Sequence, residues 1–383
     1  MVSLGSRKSL LITTSISDFG FQFQVAIVRI DIMKVTQIEV IACRREPNPN
    51  PIRDALQILP GAGSVRATVH TDEEVSGVGE VGFGRVAGAP DALAAIIEHE
   101  LKPLVLGTDP AFVRGTHEAM LRETEYHGSF GLTMFGIAAI DMALWDCLGK
   151  SRGVPCWQLW GAVHKQVPAY AMVGWLNYSD DEVQRICGKA VEQGFRGVKI
   201  KVGYQTLAED INRVKIVRKA IGDGIDLMVD ANQSLTTAEA IRRGQAFEDL
   251  GCLWWEEPIP ADDIDGYTKL AEALDIPVAT GENLYTRHDF ARFLKRDAVD
   301  IIQPDLRRAG GPTALLQIGT MADAFRRPYA SHGGGAVQLN VMACLPNTMY
   351  LETGLLSPGS PLKLKDGCAM IPEGAGFAWA RGL

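Results

Sequence analysis

Seven ionisable residues recur at a steady step through the second half of this 383-residue chain. They are Lys201, Asp230, Glu256, Glu282, Asp305, His332 and Glu352, each 20 to 29 residues after the one before. Three consecutive members, Asp230, Glu256 and Glu282, are carboxylates. Brought together without a cation they would repel and raise one another's pKa. A hard divalent ion removes that repulsion, and an all-oxygen donor set points to Mg2+, one per subunit, with Mn2+ as the alternative. Three protein ligands leave coordination positions open for substrate oxygens and water. The competing reading is a salt-bridge network with neighbouring lysines.

Lys199 and Lys201 share one face of a period-2 segment, Val198-Lys-Ile-Lys-Val. Two ammonium groups beside a metal depress each other's pKa, so Lys201 is expected to be a base that is neutral near pH 7. Lys199 tunes it and contacts a substrate carboxylate. His332 is expected to face Asp305, whose carboxylate would orient the ring and raise its basicity. Glu352, kept protonated, would donate a hydrogen bond to a developing oxyanion. Asn232 lies two residues after Asp230, on the same face, and is a substrate-binding candidate. A metal flanked by a base on either side suits abstraction of the proton α to a carboxylate, because the ion stabilises the enediolate that forms.

These residues need elements that place them in one layer. From about residue 165 the chain alternates short β-rich runs with helical stretches. The runs are 167–175, 197–202, 226–232, 252–258, 277–283, 298–305, 328–333 and 348–354. One helical stretch, 179–194, opens with Ser179-Asp-Asp-Glu, an N-terminal capping pattern. Regular alternation predicts a parallel sheet, and eight units predict closure into a modified (β/α)8 barrel. All but the first run finish on an ionisable group, where a barrel carries its active face. An open doubly wound sheet is the alternative, although no G-x-G-x-x-G follows any of the runs.

Upstream, residues 33–160 read as an α+β capping domain of meander strands followed by helices. The barrel is assigned to 161–355 and a C-terminal segment to 356–383. Met33 begins a clean alternating strand pattern, so residues 1–32 are read as an extension outside the fold. The stretch from Arg44 to Asp54 holds three prolines and is expected to be an exposed irregular loop. Its Arg44, Arg45, Asn48, Asn50 and Arg53 favour a polar, diacid substrate, the competing reading being solvated loop residues. Arg53 is a substrate-binding candidate.

Composition narrows the field. A net charge of −8 offers no bulk attraction to nucleic acid or anionic membranes. No apolar run reaches the ~18 residues of a membrane span. Seven cysteines, an odd count without a C-x-x-C pair, indicate neither a disulfide framework nor a zinc site. Reduced thiols in a cytoplasmic homo-oligomer are expected.

The set Lys199-Ile-Lys201, Asp230-Ala-Asn232, Glu256-Glu-Pro, Gly281-Glu282-Asn, Asp305 with His332, and Glu352 resembles the enolase superfamily, within it the mandelate racemase subgroup. The segment 138–150 followed by Pro155-Cys-Trp-Gln-Leu-Trp-Gly is similar to that family's signature. The resemblance covers residues 33–383. It implies a capping domain over a modified barrel, a C-terminal tail packed back on the cap, and Glu256 rather than Glu257 as metal ligand. It further implies a dehydratase acting on a small sugar acid, in which Lys201 or His332 removes the α-proton and His332 helps the β-hydroxyl leave. A racemase or epimerase is the alternative, and a barrel that binds metal or ligand without turnover is a third reading.

Overall fold

The structure, a computed structural model, describes residues 33–128 and 130–378. The expectation for residues 1–32 lies outside the described residues. The capping domain is built on a three-stranded antiparallel sheet. β1 (Val35–Cys43) is followed by a short hairpin of β2 (Ile52–Arg53) and β3 (Ile58–Leu59), then β4 (Gly63–Thr71) and β5 (Ser76–Phe83), with sheet order β1-β4-β5. The helix Leu132–Arg152 lies across this sheet. It is apolar on nearly all sides because it is packed on nearly all sides. Two glycines of β5 let it approach: a Cβ on Gly77 would sit 2.0 Å from the carbonyl oxygen of Ala143, and one on Gly79 1.9 Å from that of Ala139.

The 44–54 stretch is irregular only as far as Pro51. The Asp54 carboxylate accepts from the amides of Leu56 and Gln57 at 2.8 and 2.7 Å, closing the turn that lets β2 pair with β3. The hairpin is tied to the barrel. The Leu176 amide donates to the Arg53 carbonyl at 2.9 Å, and the Arg53 amide donates to Asn177 Oδ1 at 3.0 Å.

The barrel strands are β6 (Gln166–Gly174), β7 (Gly197–Lys201), β8 (Asp226–Asp230), β9 (Trp255–Glu256), β10 (Val278–Thr280), β11 (Ile301–Ile302), β12 (Tyr329–Ala330) and β13 (Thr348–Thr353). They pair in parallel and in order, and β13 returns to β6 through Leu351↔Ala169, Glu352↔Tyr170 and Thr353↔Ala171. The sheet is therefore closed, and the open doubly wound alternative does not hold. All eight expected runs form strands, but β9 to β12 are much shorter than their sequence patterns. Backbone turns end two of them early: Glu257 has φ +39° and Gly281 φ +144°.

The pleat sorts side chains into layers. Val198, Ile200, Leu227, Val229 and Leu351 point outward into the helix layer. Inward, the lower barrel is filled by Tyr170, Met228, Trp254, Ala279, Ile301, Ala330 and Tyr350. Helices return the chain between strands. Asp180–Glu192 begins at a capping box in which Ser179 and Glu182 satisfy each other's amides, as the sequence pattern indicates. β14 (Leu364–Lys365) and β15 (Cys368–Met370) then form a hairpin against the start of β6. Beyond it the Cys156 amide donates to the Gly376 carbonyl at 2.8 Å, and Phe377 is buried in the cap's core. All seven cysteines are unpaired.

Candidate active site

Above the apolar floor of the barrel the same inward positions carry charge. On β7, Lys199 and Lys201 follow one another at period 2; on β8, Asp230 stands above Met228; on β13, Glu352 stands above Tyr350. Lys199, Asp230, Glu256 and Asp305 are at most 1% exposed, Lys201, Glu282 and Glu352 at most 8%. One oxygen each from Asp230, Glu256 and Glu282 lie within 4.8 Å of one another. Oxygens sharing an octahedral Mg2+ at about 2.1 Å sit roughly 3 to 4 Å apart, so small side-chain rotations suffice. Glu282 Oε2 is buried, and the one cation paired with it among the described residues is His332, whose Nε2 lies 3.0 Å away. Three clustered carboxylates suit a hard divalent ion. The cluster contains Glu256 and not Glu257. The Glu257 carboxylate instead accepts from Asn283 Nδ2 at 2.9 and 2.7 Å, and burial next to Glu282 pushes its pKa far up.

Both lysines carry an ion pair. Lys199 Nζ lies 2.5 Å from Glu256 Oε1 and 2.5 Å from Glu352 Oε2, and Lys201 Nζ bonds Asp230 Oδ2. In the metal-free protein neither lysine pKa is depressed. Burial does push both down, but Glu256 and Glu352 around Lys199, and Asp230 beside Lys201, outweigh it and hold both above the ordinary lysine value. The Asp230 carboxyl is held below its usual range, because Lys201 and Lys199 outweigh its burial. Burial, only partly offset by Lys199, pushes Glu256 up to about 7.

Glu352 departs from expectation too. Despite burial, Lys199, His332 and the Tyr170 hydroxyl hold it below the usual carboxylate range, so it is ionised and not a protonated donor. Tyr170 Oη donates to it at 2.5 Å, and the Gly333 amide at 2.8 Å.

Asp305 caps the short helix Leu306–Ala309, its Oδ1 accepting from the amides of Arg307 and Arg308 at 2.8 and 2.9 Å. Its Oδ2 lies 2.8 Å from Nδ1 of His332. A carboxylate can only accept here, so Nδ1 carries a proton and Nε2 is the atom turned toward the carboxylate cluster. Nε2 lies 3.0 Å from Glu282 Oε2. Lys201 therefore borders the carboxylate cluster at Asp230 and His332 borders it at Glu282, on strands three apart by the short way round the ring.

A cleft of about 460 Å3 opens over this layer between barrel and cap. Lys201, Asn232, Glu282 and His332 line it from the barrel. Lys199 and Glu352 do not line it; they lie beneath, and Lys199 packs over the Tyr170 ring at 5.4 Å. Arg53 does not line it either: its side chain points to solvent, and its backbone does the anchoring. Arg44 is spent on an exposed pair with Asp91. The cap's contribution comes from residues that sequence reasoning missed, namely Asp54, Gln57, Phe83, Arg85 and Phe135. Trp175, Tyr285, Arg307 and Arg308 were also missed on the barrel side. The adjacent arginines after Asp305 were a signal in plain sight; the cap residues carried none.

Two family descriptions cover most of the chain. Residues 37–161 match the mandelate racemase / muconate lactonizing enzyme N-terminal domain, and residues 182–379 match the enolase C-terminal domain-like family. The chain is 34% identical over 346 residues to an arabinonate dehydratase of Saccharolobus solfataricus, covering 86% of this chain and 92% of that protein. Its structure is similar to that of L-talarate/galactarate dehydratase from Salmonella typhimurium, with TM-score 0.86 and 31% identity over 95% of this chain and 94% of that one. It is also similar to a racemase from Streptomyces coelicolor with bound magnesium, with TM-score 0.84 and 28% identity over 90% and 96% of the two chains. With both halves matched and the carboxylate cluster seated in a closed barrel beneath a cap, this chain belongs to the mandelate racemase/muconate lactonizing enzyme family of enolase-like proteins.

Proposed function

We propose that the protein is a Mg2+-dependent acid-sugar dehydratase, removing the proton α to a carboxylate and then the β-hydroxyl as water. The observation that carries this reading is the convergence of Asp230, Glu256 and Glu282 within 4.8 Å, bordered by Lys201 on one side and the Asp305–His332 pair on the other. Asp230, Glu256 and Glu282 would hold Mg2+, which would supply positive charge that favours loss of the α-proton and would relieve Lys201 of neutralising Asp230. Lys201 Nζ is then the base on its face of the cleft. His332 Nε2, oriented through Nδ1 by Asp305, is the base on the other face or the acid that protonates the departing hydroxyl. Glu352, ionised, holds Lys199 and the Gly333 amide, and so fixes the loop that carries His332. Asn232, whose Oδ1 accepts no hydrogen bond from the described residues, is the cleft's offer to a substrate hydroxyl.

The names of similar proteins, arabinonate dehydratase and L-talarate/galactarate dehydratase, support a polyhydroxy acid as substrate. A second reading, epimerisation, is favoured by the same two-sided placement of Lys201 and His332 and by the likeness to a racemase. Incubating the Mg2+-loaded protein with a library of aldonic and aldaric acids separates the two. Dehydration yields a 2-keto-3-deoxy acid lighter by one water; α-deuterium exchange in D2O without that product would mean epimerisation, and neither would remove the enzyme reading. The proposal places the enzyme in the cytoplasm as a homo-oligomer, tested by fractionation and by its mass in solution.

A further inference from the structure

We propose that Arg307 is a positioning residue through which the capping domain sets the Asp305–His332 pair. The inference rests on the reading that His332 acts on the substrate. Arg307 follows two residues after Asp305 and folds back on it. Nη2 donates to Asp305 Oδ2 at 2.6 Å, and Nε lies 3.2 Å from both carboxylate oxygens. The remaining arm reaches the cap: Nη1 donates to the Gly82 carbonyl at 3.1 Å, and the guanidinium lies 5.9 Å from the centre of the Phe135 ring. Phe135 is itself stacked on Phe83 of β5, with centroids 5.4 Å apart and rings 9° from parallel. A continuous set of contacts thus runs from the cap sheet through Phe135 and Arg307 to Asp305 Oδ2 and on to His332 Nδ1.

The geometry gives Arg307 something to do. Asp305 Oδ1 is already held by two helix amides, which leave the carboxylate free to turn about that anchor. The planar guanidinium fork fixes the carboxylate plane, so Oδ2 stays in line with the imidazole. The fork is in turn fixed by two groups that belong to the cap and not to the barrel. Seating of the cap and orientation of His332 are therefore one event, while Lys201, on β7, is held instead by Asp230. Arg307 also lines the cleft, its side chain 31% exposed, so direct substrate contact is the rival explanation.

The two faces of the cleft can be read separately. Acid sugars epimeric at the α-carbon present their α-proton to Lys201 or to His332, and exchange in D2O with Mg2+ reports each side. Arg307→Met is expected to slow His332-side exchange by about a hundredfold while Lys201-side exchange changes by no more than about twofold. Phe135→Leu should give a smaller loss on the same side. Arg307→Lys should restore part of the rate, since an ammonium can bond Asp305 but lacks a third arm for Gly82. Should Arg307→Met fail to fold, Phe135→Leu and Arg307→Lys carry the test. Equal loss on both sides, or a raised KM with kcat intact, would overturn the proposal. If the unaltered protein exchanged on neither side, the dehydratase reading would fall instead.

Discussion

His332 and Asp305 are joined twice. Their backbones form an isolated parallel bridge between the ends of β12 and β11, and their side chains meet at 2.8 Å between Nδ1 and Oδ2. The backbone bridge fixes where the pair stands, and the side-chain bond fixes which imidazole nitrogen faces the cleft. His332→Asn keeps a donor toward Asp305 but removes the titrating atom. Turnover should fall by about 10²- to 10⁴-fold, the usual weight of a general acid–base group. Mg2+ should still bind, as thermal shift at a pH where His332 is neutral in the parent reports, and an active variant would reject the assignment.

Lys201→Ala should behave alike in turnover but not in stability. It takes from the fully buried Asp230 the nearer of its two ammonium partners and leaves Lys199 Nζ at 3.7 Å. Removing one member of an isolated buried pair costs about 3–5 kcal/mol; Lys199 offsets part of that here, so the metal-free variant should melt below the parent by less than the full amount. Saturating Mg2+ should recover most of that loss, since the ion replaces the missing charge. Melting curves with and without Mg2+ check this.

Glu256→Gln removes one of the three clustered carboxylates. Mg2+ affinity should fall by more than the roughly 10- to 100-fold that loss of an outer contact costs. Lys199 would keep Glu352 as its partner, so the barrel should remain folded in the absence of metal. Isothermal titration beside circular dichroism distinguishes weakened binding from unfolding.

The pH dependence of the metal-free protein has a definite sign. Burial pushes His332 down, but Glu282, Asp305 and Glu352 outweigh it and hold its pKa above the ordinary histidine value. A pKa raised on folding stabilises the fold fully below the unfolded value of about 6.5, and that contribution is lost as pH rises through the folded value. In a chelator the melting temperature should therefore drop across this window, and His332→Asn should flatten the drop. With Glu282 among the proposed Mg2+ ligands, metal binding should release protons at the same pH, measurable in weakly buffered titrations.

The cap offers a test free of chemistry. Gly79→Ala drives a methyl into the carbonyl of Ala139 across a 1.9 Å gap that backbone alone lines. Separation of the sheet from the Leu132–Arg152 helix should cost about 3 kcal/mol or more. Urea denaturation reads the cost directly.

Much of this was visible in the linear chain because both relevant periods are local. The period-2 pattern put Lys199 and Lys201 on one face, and the repeated βα unit put Asp230, Glu256, Glu282, Asp305, His332 and Glu352 at successive strand ends. A closed parallel barrel then leaves them nowhere to go but one ring. Ser179 with Glu182 likewise needs only three residues of context. What the linear chain could not show was depth and company. Lys199 and Glu352 share the ring with Lys201 and His332, yet sit beneath the cleft floor. Arg53 and Asp54 are neighbours, yet only Asp54 turns inward. Arg307 meets Gly82 and Phe135 across more than 170 residues of chain. Side-chain identity and local period set the kind of chemistry, since charge and pleat are properties of a few adjacent residues. Which of those charges reaches a substrate, and in what protonation state, was decided only by tertiary packing, because burial and long-range ion pairing depend on everything the fold brings near.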